Sequence, residues 1–263
     1  MTHRPRKRFG QHFLHDPAVI ERIIDAIGPG DGVPVVEIGP GLGALTLPLL
    51  QRAGALDVVE IDRDLAAALT QKCRGLGALR IHVGDALRFD YCRLHPGTIK
   101  LAGNLPYNIS TPLLFHLLEQ IHCISDMVLM MQKEIVDRIC AQPGSRDYGR
   151  LSVMVQARCR TERIMNIGPG AFNPAPRVQS SLLRLSPDPG LQARITDPRR
   201  FAEVVRRAFN QRRKTLRNAL RGLLDDGDFQ QLGLTPGLRA QMLEVSDYIG
   251  ISNYLTSVDK PVD

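Results

Sequence analysis

Four consecutive residues, Asn104-Leu105-Pro106-Tyr107, concentrate more chemistry than any other stretch of this 263-residue chain. An exocyclic amine on a nucleobase is a poor nucleophile, because its lone pair is delocalised into the ring. Two acceptors aimed at its hydrogens favour a more sp3-like nitrogen that can attack an electrophile. The Asn104 side-chain oxygen and a backbone carbonyl in Leu105-Pro106 are such a pair. Proline at 106 fixes the loop, and Tyr107 offers a flat face on which a base can stack.

Upstream, Glu37-Ile38-Gly39-Pro40-Gly41-Leu42-Gly43 follows an apolar run. Glycines in a strand-to-helix turn let a ligand lie against the backbone. The spacing is GxGxG rather than the GxGxxG of dinucleotide sites, and Glu37 stands two residues before the first glycine. An acid there repels a pyrophosphate and suits a ligand with an ammonium group and no phosphate. S-adenosylmethionine has that chemistry. Glu60 ends the apolar run Val58-Val59, 17 residues past Gly43, and can accept both ribose hydroxyls. Asp62 competes for that role. Asp85, in Gly84-Asp85-Ala86, can accept the adenine amine, or can simply cap the turn that follows.

These residues sit at the ends of predicted strands. Asp16-Pro17 opens a helix in which Val19, Ile20, Ile23, Ile24 and Ile27 recur at helical spacing, and Gly28-Pro29-Gly30 ends it. Apolar strand-like runs at 33–38, 57–61, 79–83, 99–102 and 127–131 then alternate with helical runs ending at 53 and spanning 65–72, 110–120 and 133–140. This predicts an α/β fold with a Rossmann-like, doubly wound, mostly parallel sheet. A helix over 150–158 follows, then two strands at 164–167 and 181–185, candidates for a hairpin at the sheet edge. Ser186-Pro187-Asp188-Pro189-Gly190 reads as a linker. Beyond it, the spacing of Val204, Val205, Ala208, Phe209, Leu216, Leu220 and Leu223 predicts a small all-helical domain. The expected division is 1–187 and 191–263.

The formal net charge of +7 is unevenly spread. Arg4, Arg6, Lys7 and Arg8 cluster near the N-terminus, residues 199–221 carry nine basic side chains against Glu203 alone, and the remainder is net acidic. Two basic patches on an acidic body point to a polyanion, nucleic acid before membrane. From charge alone, a solvated basic surface reads the same. If 201–223 were one helix, Arg206, Arg213, Arg217 and Arg221 would share a face opposite Val205, Phe209 and Leu216, and Arg212 would fall in the apolar stripe. Either the helix breaks near Asn210-Gln211, the preferred reading, or Arg212 has a buried partner. Candidate phosphate contacts are Arg206, Arg207, Arg213, Lys214, Arg217 and Arg221. No stretch reaches 18 uncharged apolar residues, so no transmembrane helix is expected. The basic N-terminus lacks the apolar core of a secretory signal. Five cysteines, 17 to 31 residues apart with no CxxC pair, suit buried thiols in a reducing cytoplasm rather than a disulfide frame. No metal site is expected.

Taken in order, these segments resemble the small-subunit (16S) ribosomal RNA adenine N6-dimethyltransferases and their erythromycin-resistance and mitochondrial relatives. Asn104 to Tyr107 is similar to the (Asp/Asn)-Pro-Pro-Tyr signature of amino-methyltransferases, with Leu105 replacing the first proline. Arg8-Phe9-Gly10-Gln11-His12-Phe13-Leu14 resembles the family's N-terminal motif. Gln132-Lys133-Glu134, Tyr148-Gly149-Arg150-Leu151-Ser152, Phe172-Asn173-Pro174-Ala175-Pro176 and Asn210-Gln211-Arg212-Arg213-Lys214-Thr215-Leu216 follow in register. The resemblance spans residues 8 to about 220.

It implies an S-adenosylmethionine-dependent methyltransferase fold, with the cofactor at His12, Leu14, Gly39, Gly41, Glu60, Asp85 and Asn104. Histidine stands at 12 where the family usually reads asparagine; a backbone contact would survive that change. It implies catalysis by Asn104, Leu105, Pro106 and Tyr107, with Phe172 on the other face of the target base or else packed in the core. The implied reaction is methyl transfer to N6 of adjacent adenosines in a loop near the 3′ end of small-subunit rRNA, within an assembling subunit, by a cytoplasmic monomer. Two rival readings are an RNA-binding assembly factor without activity and a large-subunit resistance enzyme. The first would have favoured loss of Gly39, Glu60 or Asn104, and the 191–263 region resembles the housekeeping branch rather than the second.

Overall fold

The computed structural model describes residues 12–258; the basic cluster at 4–8 and residues 8–11 of the N-terminal motif lie outside the described residues. A short strand β1 (Phe13–Leu14) leads into helix α1 (Pro17–Ile27). Asp16 accepts hydrogen bonds from the Ala18 and Val19 amides at 2.9 and 3.2 Å, Pro17 takes the first position, and Gly28 ends the helix in the left-handed region. There follow β2 (Val35–Ile38), α2 (Thr46–Ala53), β3 (Ala55–Glu60), α3 (Arg63–Lys72), β4 (Ala78–Val83), β5 (Ile99–Asn104) and α4 (Ser110–Glu119). Then come β6 (Ile124–Gln132), α5 (Lys133–Ile139), α6 (Arg150–Gln156), β7 (Cys159–Ile167), β8 (Phe172–Asn173) and β9 (Ser180–Pro187).

Seven strands form one sheet in the order β4-β3-β2-β5-β6-β9-β7. Strands β2 to β6 pair in parallel, and β9 runs antiparallel to β6. The central strands are buried on both faces, as a sheet covered on both sides requires. The chain winds outward from β2 to β4, then returns to lay β5 on the other side of β2. That reversal is where a crevice opens beyond the strand ends. Asp57 on β3, fully buried, receives Arg80 through two bonds of 2.9 and 2.6 Å, His82 at 2.8 Å and His95 at 2.9 Å. Burial pushes its carboxyl up, but these partners outweigh it and pull it down to about 2, so an ionised Asp57 ties β3 to β4.

The chain forms two compact units, Met1–Val136 with Glu162–Pro187, and Asp137–Thr161 with Asp188–Asp263. This is not a single cut near 190: Asp137–Thr161, which the strand–helix alternation counts with the first half, groups with the C-terminal helices. The 186–190 run is also not a loose linker. Ser186 and Pro187 belong to β9, and Asp188 caps α7 (Pro189–Gln192), accepting from Gly190 and Leu191 at 2.9 and 3.2 Å. The second unit continues with α8 (Pro198–Asn210), α9 (Leu216–Ala219), α10 (Asp226–Gln231) and α11 (Val245–Ser257). Its core packs Phe201, Val204, Val205 and Ala208 of α8, and the Phe209 ring stacks 5.7 Å from that of Tyr248.

One expectation fails. Cys92 and Cys123 are joined by a disulfide, while Cys73, Cys140 and Cys159 are not bridged. Spacing along the chain hides this pair, because the fold brings together two turns that are 31 residues apart.

Candidate cofactor cleft and nucleic-acid interface

The turns after β2, β3, β4 and β5 open onto one cleft of about 260 Å³. His12, Leu14, Gly39, Gly41, Glu60, Asp85, Asn104, Leu105, Pro106 and Tyr107 all line it. They come from four strand ends, which the sheet brings together, and from the segment around β1, which a separate pairing with β8 brings to them.

The floor is acidic. Glu37 is 1% exposed and accepts the Thr46 hydroxyl at 2.7 Å. Burial pushes its carboxyl up to about 8, the Thr46 bond opposes this, and Glu60 nearby adds to it. Glu60 is 5% exposed and accepts the Gly41 amide at 3.2 Å and the Asp62 amide at 2.9 Å. Burial raises its carboxyl as well, against those two amides. Gly41 therefore has two constraints. Its φ is +55°, and a Cβ there would lie 3.2 Å from the Phe13 ring. Asp62 has a different role. It does not line the cleft, and it caps α3 by accepting from the Asp64 amide at 3.0 Å. Asp85 both lines the cleft and holds its own turn, accepting from Leu87 at 3.0 Å.

Asn104 closes β5. Its Nδ2 donates to the His12 carbonyl at 3.0 Å, so its oxygen is the atom left to accept from a ligand. The Leu105 amide donates to the Met130 carbonyl at 3.0 Å, pinning the loop to β6. The Tyr107 hydroxyl lies 2.7 Å from Ser180 Oγ, which fixes the direction of the ring.

The N-terminal motif reaches this loop through a two-stranded pairing of β1 with β8, Phe13 opposite Asn173 and Leu14 opposite Phe172. His12 then stacks on Tyr107 with ring centroids 5.5 Å apart, and its Nδ1 lies 2.7 Å from the Pro174 carbonyl. Phe172 does not face the cleft. It is 3% exposed and packs with Leu14, Ile167 and Ala171 in the core. The β1–β8 pairing turns it inward, so the aromatic beside Tyr107 in this structure is His12.

In the second unit the long helix breaks where the apolar stripe demands: α8 stops at Asn210 and α9 starts at Leu216. Arg212, in the gap, binds Gln241 at 3.2 Å and the carbonyls of Tyr148 and Arg146. A groove of about 470 Å³ is lined by Arg207, Lys214 and Arg221 with Asn210, Gln211, Asn218 and Ala219. Arg206, Arg213 and Arg217 do not line it. Arg206 is held by both Glu203 oxygens at 2.6 Å, Arg207 shares that carboxylate at 2.7 Å, and Arg217 pairs with Asp226 at 2.9 Å.

A profile described as ribosomal RNA adenine dimethylase matches residues 2–257. The chain belongs to the ribosomal RNA adenine dimethylase family. It is 55% identical over 255 residues to ribosomal RNA small subunit methyltransferase A of Aromatoleum aromaticum, covering 97% of this chain and 96% of that one. It is 50% identical over 261 residues to the protein of the same name from Methylococcus capsulatus, covering 97% and 99%. The crystal structure of a dimethyladenosine transferase from Plasmodium falciparum matches with a TM-score of 0.82 at 24% identity, over 96% of this chain and all (100%) of that one. That of 23S rRNA methyltransferase ErmE matches with a TM-score of 0.69 at 24% identity, over 93% and 99%. The last two share the fold: a mostly parallel sheet flanked by helices, with a helical C-terminal region.

Within this family frame the cleft fits S-adenosylmethionine. No lysine or arginine among the described residues lines it, and its polar floor is two buried carboxyls. A phosphate would find no cationic partner there; a cation carrying hydroxyls would find acceptors. Sequence reasoning missed Thr46, Ile61 and Ser180. Ile61, half exposed at the end of β3, offers the cleft an apolar wall. Its only signal is an aliphatic residue following Glu60. Ser180 is a polar residue in an otherwise apolar strand, a signal too weak to read without Tyr107 opposite.

Proposed function

We propose that this member of the adenine dimethylase family transfers methyl groups from S-adenosylmethionine to N6 of adjacent adenosines in small-subunit ribosomal RNA, near its 3′ end, during subunit assembly. The observation that carries the reading is Asn104: its amide nitrogen is committed to His12, so its oxygen is an acceptor at the mouth of an acid-floored cleft. Bound S-adenosylmethionine supplies an activated methyl group, so no strong base is required. The protein contributes alignment, which is worth about 7–11 kcal/mol in well-oriented systems. Glu60 holds the ribose hydroxyls and Asp85 the adenine amine, beside backbone exposed at Gly39 and Gly41. His12 and Leu14 wall the cleft through β1. Asn104 and the carbonyl of Leu105, directed by Pro106, draw the target amine's hydrogens and stabilise the nitrogen as it becomes positive. Tyr107, oriented by Ser180 and backed by His12, takes one face of a base drawn out of its stack. Phe172 supports that loop from the core.

The first unit carries the chemistry, and the second meets RNA phosphates through the Arg207–Lys214–Arg221 groove. The protein works as a cytoplasmic monomer on small-subunit rRNA in an assembling particle; among the described residues no helix is long and apolar enough to cross a membrane. The test is methyl transfer from labelled S-adenosylmethionine to small subunits lacking adenine dimethylation, beside naked large-subunit rRNA, with nucleoside analysis. Dimethyladenosine in small-subunit RNA alone is the expected product. Label confined to large-subunit RNA, or cofactor binding without label, overturns the reading.

A further inference from the structure

Three side chains outside the cleft sit together beside the start of β6, away from the strand ends that form the cleft. Tyr91–Arg93 and Ile121–Cys123 are short 3-10 turns, the first a few residues past Asp85, the second after α4. The disulfide between Cys92 and Cys123 joins them, with Cα atoms 5.4 Å apart. His122 Nε2 lies 3.4 Å from Cys92 Sγ, and the three reactive atoms lie within 4.8 Å of one another. His122 is exposed and Cys92 half-buried; of the unbridged cysteines, Cys73 and Cys159 are buried and Cys140 is half-buried. Cys92 is thus the more open sulfur of the bridged pair, with an imidazole beside it.

The surroundings also provide for the open pair. The two sulfurs stand 3.6 and 3.1 Å from the Gln120 carbonyl, which can accept from either S–H. The turns hold together without the bridge. The Tyr91 amide donates to Gln120 Oε1 at 2.7 Å, and Gln120 Nε2 donates to the Phe89 carbonyl at 3.0 Å. Opening and closing the S–S bond therefore needs no parting of the backbone.

We propose that Cys92 and Cys123, with His122, form a thiol–disulfide exchange site whose substrates are small-molecule disulfides. His122 takes the proton of the Cys92 thiol. The thiolate attacks one sulfur of the small disulfide, breaking its S–S bond and expelling one thiolate, to which the proton passes. The Cys123 thiolate then attacks the Cys92 sulfur, closing the protein bridge and expelling the second thiolate, which takes the Cys123 proton. The cysteine pair loses two electrons and two protons, and the small disulfide becomes two thiols. The reverse sequence reopens the bridge when reduced thiol is in excess.

The test uses the full chain, reduced and desalted, then exposed to oxidised glutathione for timed intervals before alkylation and peptide mass analysis. The expected result is a transient glutathione adduct on Cys92, followed by a Cys92–Cys123 cross-linked peptide, with the other cysteines alkylated. Reduced glutathione reverses it. Cys123→Ser traps the adduct, and His122→Ala slows adduct formation by roughly tenfold or more. Absence of both adduct and bridge, in protein whose thermal midpoint shows it folded, overturns the site. So does one zinc ion per chain, retained by the reduced protein through desalting, lost in Cys92→Ser and blocking exchange, since the trio is then a metal site.

Discussion

The cofactor cleft and the basic groove are both built for charged ligands, yet they handle charge in opposite ways. The cleft buries two carboxyls and surrounds them with backbone amides and a hydroxyl, so each acid is fixed in place before any ligand arrives. The groove sets Arg207 near the end of α8 and the exposed Lys214 and Arg221 before and after α9, and half of the six candidate phosphate contacts are already engaged by Glu203 or Asp226. A buried charge acts through geometry and proton affinity. An exposed one acts through the field left after its neighbours are counted. The two regions should therefore fail differently when mutated: the cleft in large, single-step losses, the groove in small, salt-dependent ones.

The largest loss is expected at Asn104. Asn104→Ala removes an acceptor for a nitrogen that becomes positive only in the transition state, so turnover should fall by roughly 10²–10³. RNA affinity should stay within about twofold, because no phosphate contact is touched. Single-turnover rates beside filter-binding constants check this, and equal losses in both would remove Asn104 from the chemistry. Next comes Glu60→Ala, which deletes a charged acceptor worth about 1.5–3 kcal/mol per hydrogen bond. Cofactor Kd by calorimetry should rise by roughly 10², with RNA binding intact. Asp62→Ala should do the reverse, costing about 1 kcal/mol of stability through the lost α3 cap and leaving cofactor affinity nearly unchanged. If Asp62→Ala weakens the cofactor more than Glu60→Ala, the ribose belongs to Asp62.

The contrast also explains what was legible beforehand. Apart from Asp62, the cleft residues named from the strand-end motifs line one cavity, because in a parallel sheet the position after a short apolar strand is already a spatial address. The Asp16 cap and the Gly28 stop were equally local, and the structure keeps both. What stayed hidden depends on partners far along the chain. Phe172 is turned into the core by a two-residue pairing with Leu14, 158 positions earlier. Asp62 stays a competitor to Glu60, which is favoured because it ends the apolar run, until its capping bond is seen. Cys92 and Cys123 look like unrelated thiols, and Asp137–Thr161 looks like part of the first unit. A break after Asn210 is the preferred reading over a buried partner for Arg212 in an apolar stripe, and the helix does break there. Which arginines Glu203 would occupy was not readable, because Arg206 and Arg207 are both in helical reach of it.

Glu37 gives the cleft a smaller but distinctive signature in pH. Burial lifts its folded value to about 8, so the carboxyl holds its proton at neutral pH when no ligand is bound. A cationic ligand favours the ionised form, so binding below that value releases a proton. Apparent cofactor affinity should therefore climb as pH rises through neutrality and level off above about 8, by at most about tenfold per unit. Glu37→Gln should flatten that climb; the ligand's own titration is common to both proteins and cancels in the ratio. Parallel pH profiles for the two proteins would mean that Glu37 does not sense the ligand's charge.

The groove should show its character in the salt dependence of RNA binding. Each side chain that neutralises a phosphate contributes about 0.7 to the slope of log K against log salt on single-stranded RNA. Lys214 and Arg221 line the groove, and the Arg221 guanidinium is held by the neutral Asn218 amide rather than by an acid. Lys214→Ala and Arg221→Ala should each flatten the slope by about 0.7. Arg206 is a contrasting case. Its guanidinium is held on both oxygens of Glu203, outside the groove, so Arg206→Ala should change the slope by much less. Glu203→Gln should then steepen it, because Arg206 and Arg207 lose the carboxylate that now neutralises part of their charge. Equal slopes for Lys214→Ala and Arg206→Ala would mean that RNA samples the whole basic face and not the groove, and that the ion pairs on α8 open at no cost when a phosphate arrives.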